Sequence, residues 1–133
     1  MKRDVRLREL SREHHHALVL ARTIATHEES GTIDASVVAL VRERFDAEIF
    51  PHFAVEDILL EALAGRGVDE LVARTREEHA RMKELVRDAR ESDPRGLGEL
   101  ARLLTEHVRF EERELYPACE ERLPSEVLDE VAS

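Results

Sequence analysis

The sequence contains one cysteine, Cys119, no tryptophan, and aromatic residues at only 4 %. A lone cysteine excludes an internal disulfide and suits a reducing compartment. No apolar run approaches the roughly 20 residues that a membrane span needs, so no membrane partner is expected. Positive charge is outnumbered, with Lys and Arg at 20 against Asp and Glu at 30, a net charge of -10. That balance argues against nucleic acid as the main partner and favours attraction of cations. Met1-Lys2-Arg3-Asp4 has none of the apolar stretch of a signal peptide, and a cytoplasmic protein is expected. There is no low-complexity tract, no linker, no strand-like segment, no Ser-His-Asp set and no phosphate-binding loop.

What is abundant is Ala, Leu, Val, Glu and Arg, with apolar content at 42 % and charged content at 38 %. That is the composition of a helical protein, and 133 residues suit a single domain, 1–133. Apolar residues recur every three or four positions in four long segments. The first, 4–29, carries Leu7, Leu10, His14, Ala17, Ala21 and Ile24 on one face and stops at Gly31. The second, 35–64, capped by Asp34 or Thr32, carries Val38, Val41, Phe45, Ile49, His52, Glu56, Leu59 and Ala62. Pro51 should kink it near 47–51 without ending the stripe. The third, 68–91, carries Val68, Val72, Thr75, His79, Met82, Val86 and Ala89. The fourth, 94–122, opens with Asp93 as cap and Pro94 in the first turn, and bends at Pro117. A short helix, 125–131, follows Pro124. Four long helices on short loops predict an all-α, up-down-up-down antiparallel four-helix bundle with a short C-terminal helix.

The buried stripes carry a pattern of their own. It runs His14, then His52-x-x-x-Glu56, then His79, then His107-x-x-x-Glu111. Residues four apart share a helix face, so both His–Glu pairs point at the core, where they are costly unless something satisfies them. Glu is 22 of the 133 residues, so one His with Glu at +4 arises by chance about one time in six. The other five histidines are followed at +4 by Leu18, Val19, Leu20, Gly31 and Lys83. Only the stripe histidines of segments two and four carry the Glu, and that order is specific. Four imidazoles and two carboxylates suit two ions of iron, manganese or zinc, with both carboxylates bridging. In the run His14-His15-His16, His14 has the apolar neighbours and is taken as the ligand. His15 is the alternative should the helix be rotated.

These residues resemble the hemerythrin family, in its bacterial group with single histidines alternating with His-x-x-x-Glu. Glu13-His14 and Glu78-His79 look like that family's Glu-His starts, and Glu111 to Pro117 looks like the close of its last helix. The resemblance covers 10–117. It implies a four-helix bundle and a non-haem di-iron centre with an oxo or hydroxo bridge, held by His14, His52, Glu56, His79, His107 and Glu111. The chain departs from the oxygen carriers of the family at Lys83, where they have a second histidine, and in His107-x-x-x-Glu111, where they have His-x-x-x-x-Asp. The resemblance then implies a small-ligand site for O2, NO or peroxide, or a role in iron and redox sensing, with an open metal position. The alternative is a metal-stabilised interaction module without turnover. Ferritin-type storage uses Glu-x-x-His pairs, and only Glu13 to His16 matches. Tyr116, five residues beyond Glu111, is expected to pack near the bundle end. Glu112 and Asp57 are expected outside the ligand set, where either could orient a histidine. Cys119 reads as a small buried apolar residue, His27 as a surface residue near a helix C-terminus, and His16 as a surface or supporting residue.

Overall fold

A computed structural model describes residues 2–133. The chain is 84 % helical, and the described residues contain no strand. A single 3-10 turn, Val5–Leu7, capped by the Asp4 carboxylate on the Arg6 amide at 2.9 Å, leads into α1 (Arg8–Ser30). Gly31 ends α1 in the left-handed conformation at φ 67°, which glycine adopts without a Cβ penalty. Of the two candidate caps for the second long helix (α2, 35–63), Asp34 is used, accepting from the Val37 amide at 3.0 Å. The N-terminus of the fourth long helix (α4, 94–122) is capped as expected, with Asp93 accepting from the Gly96 amide at 3.3 Å.

Both proline-bearing helices widen where a kink was expected. Helix α2 (35–63) consists of Ala35–Arg44, a π turn Phe45–Ile49, and Phe50–Leu63. Pro51 has no amide hydrogen, and its ring excludes the carbonyl four residues back. The preceding amide, Phe50, reaches five residues back to Phe45 instead. Helix α4 (94–122) repeats the device: Pro94–Phe110, a π turn Glu111–Leu115, and Tyr116–Arg122, with the Tyr116 amide on the Glu111 carbonyl and Pro117 next. Helix α3 (Asp69–Arg87) ends four residues before the predicted 91. There the Ala89 amide turns back to Val86, and the Ala89 carbonyl is taken by the Arg42 guanidinium at 2.5 Å. Helix α5 (Ser125–Ala132) closes the chain.

Helix α1 lies against α4, α4 against α3, α3 against α2, and α2 against α1, while α5 covers α2 and the Val5–Leu7 turn. Two apolar clusters fill the ring. One holds Ile24, Val41, Phe45, Met82, Leu97 and Leu104. The other holds Leu7, Leu10, Leu59, Leu115, Tyr116 and Leu128. Along every long helix the stripe histidine falls between a residue of one cluster and a residue of the other. Leu10, His14 and Ala17 show this on α1, and Val72, His79 and Met82 on α3. The polar residues therefore form one layer across the molecule, with an apolar cluster on either side.

Candidate metal centre

His14, His52, Glu56, His79, His107 and Glu111 meet in that layer, and none is more than 6 % exposed. His14 is turned inward, while His15 and His16 are exposed. The imidazoles form two pairs, His14 with His52 and His79 with His107, each with ring centroids 4.9 Å apart. The two carboxylates lie between the pairs and divide their oxygens between them. Glu56 sets Oε2 3.1 Å from His52 Nε2 and Oε1 3.0 Å from His79 Nε2. Glu111 sets Oε1 2.8 Å from His14 Nε2 and Oε2 3.1 Å from His107 Nε2. The layer thus contains two four-residue groups, His14/His52/Glu56/Glu111 and Glu56/His79/His107/Glu111. Within each, the potential ligand atoms lie within 4.8 Å of one another.

The outward nitrogens are also occupied. Nδ1 of His52 bonds Glu13 at 2.8 Å, Nδ1 of His107 bonds Glu78 at 2.8 Å, and Nδ1 of His14 bonds Glu112 at 2.7 Å. A carboxylate on Nδ1 fixes ring orientation and tautomer and leaves Nε2 as the inward atom. Each of these carboxylates comes from a different helix than the histidine it holds. Glu13 and Glu78 precede stripe histidines and point about 100° away from them, toward the neighbouring helix. His79 is held differently, by the face of Phe53 stacked on it at 3.8 Å.

Tyr116 corrects the sequence reading. It is fully buried, and its hydroxyl donates to Glu56 Oε2 at 2.7 Å and lies 3.2 Å from His14 Nε2. In a regular helix a residue five beyond Glu111 points about 140° away. The π turn stacks residue i+5 over residue i, and that returns Tyr116 to the layer. Glu112 fulfils the orienting role expected of its position, whereas Asp57 is exposed and has no histidine partner among the described residues. Cys119 is buried as expected, its thiol pushed up to about 12 by burial and by the Glu56 and Glu111 charges.

Electrostatics inside the layer favour charge separation. Burial opposes a charged His52, yet Glu56, Glu111 and Glu13 hold its pKa at about 12. Burial likewise opposes charge on His107, and Glu111, Glu78 and Glu56 raise it to about 10. His14 is raised by Glu111 and Glu112 against burial. Glu111 is held well below its usual range by His107, His14 and His52, again against burial. Burial first, then Glu56 and Glu111, keeps the Tyr116 phenol protonated far above neutrality.

One imperfection remains in this network. His107 Nε2 and Glu111 Oε2 are 3.1 Å apart but misaligned, so both are buried without a hydrogen-bond partner. Unsatisfied buried polar atoms are rare in folded proteins, and these two face each other as two metal ligands would. Two imidazoles and two shared carboxylates per group form a donor set for iron, manganese or zinc.

The family model for the hemerythrin HHE cation-binding domain matches residues 5–119. The chain belongs to that family. Comparison with curated proteins and with solved structures returned no significant match. The hemerythrin match covers α1, α2, α3 and α4 as far as residue 119, and with them every residue of the polar layer, Tyr116 and the outer carboxylates included. Among the described residues, no helix is long and apolar enough to cross a membrane.

Proposed function

We propose that this is a hemerythrin-like non-haem di-iron protein that binds or reduces a small ligand, O2, NO or H2O2, in peroxide decomposition or in redox and iron sensing. The observation that supports it is the division of each buried carboxylate between two histidine pairs, Glu56 between His52 and His79 and Glu111 between His14 and His107. His14, His52, Glu56 and Glu111 would hold one ion, and Glu56, His79, His107 and Glu111 the other. When bound, such a pair supplies electrons and Lewis acidity to a small oxygen or nitrogen ligand. The chain's own part is to aim and shield. Glu13, Glu78 and Glu112 keep a proton on Nδ1 so that Nε2 faces inward, Tyr116 O–H holds one oxygen of Glu56, and the two apolar clusters shield the layer on its two flanks. In this reading the ring of helices is an up-down-up-down bundle, consistent with the short connections 31–34, 64–68 and 88–93. We further read 1–133 as one domain working in the cytoplasm without nucleic acid, on the strength of its net charge of -10 and its lone buried cysteine.

The test is elemental analysis of the native protein and of His107→Ala after anaerobic iron loading, with circular dichroism to confirm that both are folded. Two irons per native chain and a sharp loss in the variant are expected. Zinc alone, or no metal in either protein, would overturn the di-iron reading and leave the polar layer as a structural network in an interaction module. With two irons bound, exposure of the anaerobically prepared protein to O2, NO or H2O2 in turn, followed by optical spectroscopy, separates the ligands.

A further inference from the structure

A cavity of about 330 Å³ opens between α1 and α2 and reaches the imidazoles of His14, His52 and His107. It is far larger than a diatomic ligand needs. One water takes a share of roughly 30 Å³ in the liquid, and an apolar void of ~150 Å³ already holds benzene. The size falls in the range of pockets for small organic molecules. The π turn of α2 helps to shape it, since Ala47, Glu48 and Ile49 line the wall, with Pro51 just beyond the turn. Apolar side chains, Ala17, Leu20, Ile49, Phe53, Leu104 and Val108, form most of its inner wall, with the three imidazoles set among them.

The rim carries charge of both signs, but each charge already has a partner. Arg12 is 2.6 Å from Glu9, Arg44 3.7 Å from Glu48, His16 3.3 Å from Glu48, and Glu13 is bonded to His52 at 2.8 Å. An anionic or cationic guest would enter a largely apolar interior and meet no unpaired countercharge, at a cost in desolvation. A neutral guest loses nothing of that kind and gains by burying its apolar surface.

We propose that this cavity binds a neutral, largely apolar organic molecule, an alkyl hydroperoxide, with its polar end at His107, whose Nε2 has no hydrogen-bond partner, and its apolar body against Leu20, Phe53 and Leu104. A hydroperoxide group is uncharged at neutral pH and both donates and accepts hydrogen bonds. The choice of that group rests on the peroxide arm of the proposed function, while the neutral, apolar character of the guest rests on the cavity itself.

The experiment uses chelator-treated, metal-free protein, so that binding is read without turnover. Three probes are titrated by calorimetry: 2-phenyl-2-propanol, benzoate and benzylamine, similar in bulk but neutral, anionic and cationic. Cumene hydroperoxide is then used to displace the alcohol. Binding of the alcohol, its displacement by the hydroperoxide, and affinity for both charged probes weaker by about tenfold or more are expected. Two cavity-filling variants serve as controls, Ala47→Trp at the exposed rim and Ala17→Leu on the α1 wall. At least one of them should weaken the alcohol by about tenfold while keeping the native circular dichroism and metal content. Equal or tighter binding of benzoate or benzylamine, no displacement by cumene hydroperoxide, or unchanged affinity in both folded variants would overturn the proposal. Alcohol binding in a protein that takes up no metal would leave the cavity assignment standing and remove the di-iron reading.

Discussion

Tyr116 and the outer carboxylates Glu13, Glu78 and Glu112 each bond a side chain of the polar layer that belongs to a different helix. The six inward His and Glu residues were legible because they lie on apolar stripes at spacings a regular helix preserves. Tyr116 was not, because its place depends on a turn of different pitch. Glu13 and Glu78 stood out only as neighbours of stripe histidines; their partners lie on other helices, and no spacing within one helix encodes that. Tyr116→Phe removes one hydrogen bond to a buried carboxylate and keeps the ring. A bond to a charged group contributes about 1.5–3 kcal/mol, and the metal-free variant should lose stability of that order in urea unfolding. An unchanged midpoint would mean that the Glu56 carboxylate finds another donor.

His52 and His107 have folded-state pKa values raised to about 12 and about 10, against an unfolded value near 6.5. The folded state therefore binds protons more tightly. The stability they contribute is fully present below about pH 6.5 and is lost as pH rises toward 10 and then 12. Glu111, lowered, acts at the other end: its contribution is present above about pH 4.3 and is lost as pH falls through its folded value. Unfolding of the metal-free protein followed against pH should show a decline on the alkaline side. A flat profile from pH 6.5 to 10 would show that these histidines are neutral in the folded chain.

At the level of the helix, punctuation was readable and pitch was not. Gly31, Asp34, Asp93 and Pro94 each work where the sequence places them, because caps act through bonds two or three residues away. Pro51 and Pro117 marked the sites of distortion, but a missing amide can produce a kink, a break or a wider turn, and the surrounding packing selects among these. The end of α3 was misjudged because Arg42, on another helix, takes the Ala89 carbonyl. The Asp34 cap provides a direct check on α2. Asp34→Ala removes the acceptor for the Val37 amide and should cost about 1 kcal/mol of stability, measured by thermal unfolding, with metal content unchanged. A loss of bound metal in this variant would show that the start of α2 is coupled to the layer some five turns away.

For the whole molecule, the decisive feature is the polar layer between two apolar clusters. If it binds metal only when folded, metal stabilises the folded chain by mass action, about 2.7 kcal/mol for one site at a free concentration a hundred times its dissociation constant. The melting temperature of the loaded protein should rise with metal concentration and fall to the metal-free value in excess chelator. Equal melting temperatures with and without bound metal would require ions to bind the unfolded chain as tightly as the folded one.

The layer has another consequence. Leu, Val and Ala repeat along all four long helices, and such side chains pack almost as well after one helix slides by a turn, about 5.4 Å, along its neighbour. The His–Glu contacts do not tolerate that shift. Moving α1 by one turn would carry His14 away from Glu111 and Glu112 and leave three polar groups stranded among leucines. The same bonds that assemble a site therefore act as an alignment key, selecting one docking of the helices from several of similar apolar quality.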